Sequence, residues 1–116
     1  MAVTIYHNPR CSKSRQTLAL LQGKGVEPHI VEYLQAPPDA ATLHSILVKL
    51  GISPRDLIRT GEEDYKKAQD QLAGFSDAAL IDWIAANPRV IQRPIVVTEK
   101  DARIGRPPES VLEILD

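Results

Sequence analysis

The chain has 116 residues, 43% hydrophobic and 25% charged, the proportions of a soluble globular protein with one core. Fourteen basic residues against fifteen acidic leave a net charge of −1, which excludes the strongly basic footprint of a nucleic-acid or membrane-surface binder. No apolar run reaches the ~20 residues of a spanning helix, and Met1–Tyr6 is too short and too polar-flanked for a signal peptide.

Val3-Thr4-Ile5-Tyr6 is a short β-type run that ends at the turn-forming His7-Asn8-Pro9. Cys11 follows, and a helix is expected from Ser12 to Gly23 with Leu18, Ala19 and Leu21 on its apolar face and Gly23 and Gly25 as stop signals. His29-Ile30-Val31-Glu32-Tyr33 reads as a second strand, so the first third is β-α-β with Cys11 where strand hands over to helix.

Asp39 is the expected N-cap of the next helix, whose Leu43, Ile46, Leu47 and Leu50 form a one-faced stripe that Gly51 ends. Ser53-Pro54-Arg55-Asp56 resembles a capping box opening a short turn that carries Leu57, Ile58 and Arg59. Glu62–Leu72 reads as a polar helix, and Ser76 caps a better one through Ala86, with Phe75 and Trp83 as core candidates. Ile95-Val96-Val97-Thr98 is a buried-strand signal, Ala102-Arg103-Ile104 pairs back as a hairpin, and Glu109–Leu115 is a final helix. The order β-α-β, helices, β-β-α suits an α/β single domain over residues 1–116, a mixed four-stranded sheet with the central helices as an insertion.

One cysteine permits no intrachain disulfide, which points to a cytoplasmic protein. Three histidines without metal-ligand spacing give no reason to expect a bound metal, and His29 and His44 read as structural. Cys11 is the informative residue. The first turn of a helix presents unpaired N–H groups and partial positive charge, which favour thiolate over thiol. Arg10, Lys13, Arg15 and the upstream His7 add to that environment. A fall in thiol pKa from ~8.5 to ~6.5 would raise the thiolate fraction at pH 7 from about 3% to about 75%. Position 14 is Ser, so the chain has no C-x-x-C dithiol, and position 17 is Thr, so it lacks the C-x5-R phosphate loop. A single nucleophile needs a thiol from outside to resolve any two-electron intermediate. Arg59, Arg93 and Arg106 stand in less bland settings than the other arginines, beside apolar residues or directly before proline, and three converging arginines would bind a tetrahedral oxyanion.

Four segments then align in order and spacing: Ile5-Tyr6-His7-Asn8-Pro9-Arg10-Cys11-Ser12-Lys13-Ser14-Arg15, Gly51–Arg59, Gln92–Val97 and Ile104-Gly105-Arg106-Pro107. Together they resemble the glutaredoxin-coupled arsenate reductase family over nearly the whole chain. The resemblance implies a thioredoxin-like fold, Cys11 as nucleophile, His7 and Ser14 as its activators, and Arg59, Arg93 and Arg106 as the oxyanion clamp. It also implies a cis Arg93–Pro94 peptide, glutathione as thiol co-substrate, glutaredoxin as partner, no bound cofactor and a monomer. His7 would stabilise the thiolate by a hydrogen bond or by positive charge. Two departures stand out: Gly105 replaces a cysteine found in some members, and Arg10 replaces a small residue. Two other readings share the features: a glutathione-dependent thiol–disulfide reductase, and a redox-sensing interaction protein.

Overall fold

The computed structural model describes residues 2–115, with contacts dividing the chain into two compact units: Met1–Ala36 together with Arg93–Asp116, and Pro37–Gln92. The first unit holds the sheet. Strand β1 (Thr4–His7) lies between β2 (His29–Glu32) and β3 (Ile95–Val97), and β4 (Ala102–Ile104) completes the order β2-β1-β3-β4. β1 and β2 run parallel with Ile5 opposite Ile30, so a crossover must join them, and helix α1 (Ser12–Gly23) supplies it. The other two pairings are antiparallel, Ile5 facing Val96 and Val96 facing Arg103. This is the mixed four-stranded sheet of a thioredoxin-like fold, as the chain order suggested.

The core of this unit is Val3, Ile5, Leu21, Val96, Val111 and Ile114, with Leu18, Val26 and Leu115 packed against it. The buried face of α1 is Ser14, Thr17 and Leu21, while Leu18 is half-buried and Ala19 exposed. The expected apolar face is therefore rotated, because the end of the helix nearest Cys11 buries hydroxyls. α1 stops at Gly23, and the left-handed residue after it is Gly25, φ 78°. Two strands are one residue shorter at the C-terminal end than the sequence suggested, Tyr33 and Thr98 falling outside them. The final segment, Pro108–Ile114, is a 3-10 helix and not an α-helix. It is a short proline-led piece closed by bonds such as Ser110 N–H to the Pro107 carbonyl at 3.0 Å.

The second unit is helical. Asp39 caps α2 (Ala40–Leu50) by accepting from the Thr42 N–H at 2.8 Å, and Gly51 ends it at φ 71°. Helix α3 (Glu63–Leu72) buries only Leu72, whereas α4 (Asp77–Ala86), capped by Ser76, buries Leu80, Ile81 and Ile84 against the Leu43, Ile46 and Leu47 face of α2. Phe75 and Trp83 are only half-buried, so aliphatic side chains fill this core. Ser53 does not cap a backbone N–H. Its hydroxyl instead meets the Asp56 carboxylate at 3.3 Å, at the start of the 3-10 turn Pro54–Leu57. Arg55 donates to the Leu72 and Phe75 carbonyls at 3.1 Å each, tying off the C-terminus of α3.

Candidate active site

Strand alternation places Ile5 and His7 on the buried side of β1, so the strand delivers an imidazole to the interior at its C-terminal end. Asn8-Pro9 then turns the chain into α1, and the first turn of α1 is stitched back onto this loop. The buried Ser14 Oγ accepts from the Asn8 N–H at 3.0 Å and shares a 2.6 Å bond with His7 Nδ1. The Asn8 side chain accepts from the Arg10 N–H at 3.0 Å, and Arg15 donates to the Pro9 carbonyl at 2.9 Å. Burial lowers the His7 pKa, Glu32 opposes that shift and Arg15 adds to it. The lowered pKa favours the neutral imidazole, and Ser14 Oγ is the side-chain partner that its Nδ1 meets.

Cys11 is the N-cap of α1, with extended backbone at φ −96° and its N–H donated to the Asn8 carbonyl at 3.0 Å. Its side chain is half-buried. Burial raises the thiol pKa, but the backbone N–H groups of Ser14 and Lys13 and the Arg93 guanidinium outweigh it, and the thiol sits below its ordinary value.

Arg93 and Arg106 come together at this sulfur from the two ends of the β3–β4 hairpin. Arg106 Nε donates to the Arg93 carbonyl at 2.8 Å, and Arg106 Nη2 lies 3.9 Å from Cys11 Sγ. Arg93 is half-buried and hydrogen-bonds the thiol, whereas Arg106 is exposed. The peptides Arg93–Pro94 and Arg106–Pro107 are both cis; the second was not anticipated. Arg59 belongs to the helical unit. Its backbone N–H donates to the Val90 carbonyl at 2.6 Å beside the Ile58–Ile91 bridge, and its Nη1 pairs with Glu62 Oε1 at 2.6 Å.

Asn8, Thr17 and Gly105 support the site as well. Asn8 had a signal in the sequence, since Asn-Pro marks a side-chain-bonded turn. Thr17 and Gly105 had none, because their importance lies in a close approach between segments far apart in the chain. A Cβ on Gly105 would stand 2.5 Å from Thr17 Oγ1 and 2.8 Å from Pro94 Cγ. His29 and His44 are exposed, and among the described residues no group of three His, Cys, Asp or Glu side chains is placed to hold a metal ion. No helix of the described residues is long and apolar enough to cross a membrane.

A thioredoxin-like sheet with one thiol at a helix N-cap and two arginines beside it defines a class: thiol-dependent proteins of the thioredoxin-like fold. The chain belongs to the ArsC family, whose model matches residues 6–114. It is 54% identical over 114 residues to the uncharacterized protein YfgD of Escherichia coli K12, covering 97% of this chain and 96% of that one. It is 50% identical over 116 residues to the arsenate reductase of Haemophilus influenzae, covering 99% and 100%. The solved arsenate reductase of Vibrio cholerae superposes with a TM-score of 0.94 at 47% identity, covering 99% of this chain and 98% of that one.

Proposed function

We propose that the protein reduces arsenate to arsenite with glutathione and glutaredoxin. The observation that carries this is the lowered thiol of Cys11 beside Arg93 and Arg106. The thiolate attacks arsenic and an arsenate oxygen leaves as water, forming a sulfur–arsenic bond. Arg93 and Arg106 neutralise charge on the remaining oxygens, and the family resemblance adds Arg59 as a third such group. His7 and Ser14 hold the loop and first helical turn so that the sulfur stays at the N-cap. The glutathione thiolate then attacks Cys11 Sγ. The sulfur–arsenic bond breaks with its electron pair moving to arsenic, so arsenic(V) becomes arsenic(III) while two thiols are oxidised to one mixed disulfide. Glutaredoxin removes glutathione from Cys11 by thiol–disulfide exchange, which suits a chain with no second cysteine of its own.

The test is steady-state arsenate reduction with glutathione, glutaredoxin and NADPH-coupled glutathione reductase. Turnover is expected for the native chain and none for Cys11→Ser. No turnover from a chain whose Cys11 still reacts rapidly with alkylating agents would reject arsenate as substrate and leave thiol–disulfide reduction as the activity.

A further inference from the structure

The loop that carries Cys11 also walls a cavity that the steps above leave unused. It measures about 170 Å³ and is lined by His7, Asn8, Pro9 and Arg10 on one side and by Glu32, Leu34 and Gln35 from the end of β2 on the other. That volume is well under the ~300–1,000 Å³ of a pocket that envelops a drug-sized ligand, so it suits one end of a molecule whose remainder lies outside. Its chemistry is of both signs. Arg10 brings a guanidinium that matches a carboxylate in two-point geometry, Glu32 brings a carboxylate, and Gln35 brings an amide. Among the described residues neither Arg10 nor Glu32 is held in an ion pair. Glu32 stands opposite His7 in the sheet register, and its charge is felt by that buried imidazole.

An arsenate ion alone would be repelled by Glu32, and a simple amine by Arg10. An α-amino-acid head group carries an ammonium and a carboxylate together and answers both. We propose that this cavity binds the amino-acid head of the incoming thiol co-substrate, with its carboxylate on Arg10 and Gln35 and its ammonium on Glu32. In glutathione that head is the γ-glutamyl end, and the cysteinyl thiol is then tethered beside the loop whose last residue is Cys11. The assignment rests on the reading of Cys11 as the nucleophile resolved by an external thiol, and it is independent of arsenate. The gain is one of effective concentration: binding the head converts attack on Sγ toward an intramolecular event.

The test uses full-length protein with Cys11 capped as a mixed disulfide with thionitrobenzoate. An added thiolate attacks Cys11 Sγ, the capping disulfide breaks, and its electron pair leaves with coloured thionitrobenzoate. Three thiols are compared: glutathione, its glutaryl analogue lacking only the ammonium, and mercaptoethanol, which has no charged head. Dividing each rate by the mercaptoethanol rate cancels changes in the intrinsic reactivity of Cys11. Arg10→Ala should lower the glutathione ratio about three- to fivefold, the effect of one solvent-exposed ion pair. Glu32→Gln should abolish the preference for glutathione over the glutaryl analogue. Ratios unchanged in either variant would overturn the proposal. Because no arsenate is present, failure of the arsenate reaction and failure of this site are read separately.

Discussion

At Cys11 two opposing effects are written onto one sulfur: half-burial raises the thiol pKa, while the N–H groups of the first α1 turn and Arg93 lower it and win. The consequence is a pH dependence with a definite sign. A group whose folded pKa is lowered below its unfolded value stabilises the fold above the unfolded pKa, here the ordinary thiol range near ~8.5. That contribution is lost as pH falls through the folded pKa. Native protein should therefore gain stability as pH rises through the interval between those two values, and Cys11→Ser should not. Iodoacetamide alkylation of native Cys11 should show a midpoint below that of free cysteine. A midpoint at or above the free value would remove the electrostatic basis of the nucleophile assignment. His7 acts in the same direction for a different reason. Its imidazole is held neutral by burial, so stability is lost as pH falls below about 6.5, where the unfolded histidine takes up its proton first.

Among the elements, those marked by local chemistry were legible in the sequence. Asp39 and Gly51 bound α2, Ser76 opens α4, and the β-branched runs at Thr4 and Ile95 fall within strands. What was not legible depends on partners distant in the chain. The buried face of α1 includes Ser14 and Thr17 because His7 and the β4–Pro107 turn lie against it, and no apolar periodicity marks hydroxyls as interior. The same contact makes a prediction about Gly105. Thr17 is fully buried and its hydroxyl donates to the Lys13 carbonyl at 2.8 Å, so it cannot swing away cheaply, and the Pro94 ring is equally fixed. Gly105→Ala should destabilise the protein by about 1–3 kcal/mol, the usual cost of overpacking. It should also disturb the Arg106 bond to the Arg93 carbonyl. In Thr17→Ala/Gly105→Ala the added methyl loses its tightest neighbour, so urea unfolding should show the double variant less damaged than the two single losses summed. Strict additivity would mean that the Thr17 contact does not decide the choice of glycine.

For the whole molecule, the sheet topology followed from chain order because a parallel β1–β2 pair needs a crossover while β3 and β4 close as a hairpin. The grouping of Cys11, His7, Ser14, Arg93 and Arg106 in one unit followed from the same topology, since the ends of β1, β3 and β4 meet at the start of α1. Arg59 is a different case. It sits in the helical unit, where the visible partner of its guanidinium is Glu62, and its place among the oxyanion-binding groups rests on family resemblance. Two measurements separate its role from that of Arg93. Arg93 hydrogen-bonds the thiol and lowers its pKa, so Arg93→Ala should raise both the alkylation midpoint of Cys11 and the KM for arsenate. For Arg59 the decisive readout is the arsenate KM, measured beside the alkylation midpoint, because its role rests on the resemblance. If Arg59 binds substrate oxygens, its loss should raise the arsenate KM about tenfold or more, the scale of ~1.5–3 kcal/mol for a hydrogen bond to a charged group. An Arg59→Ala chain with unchanged KM and reduced stability would make the guanidinium a structural partner of Glu62, and the clamp would then consist of Arg93 and Arg106.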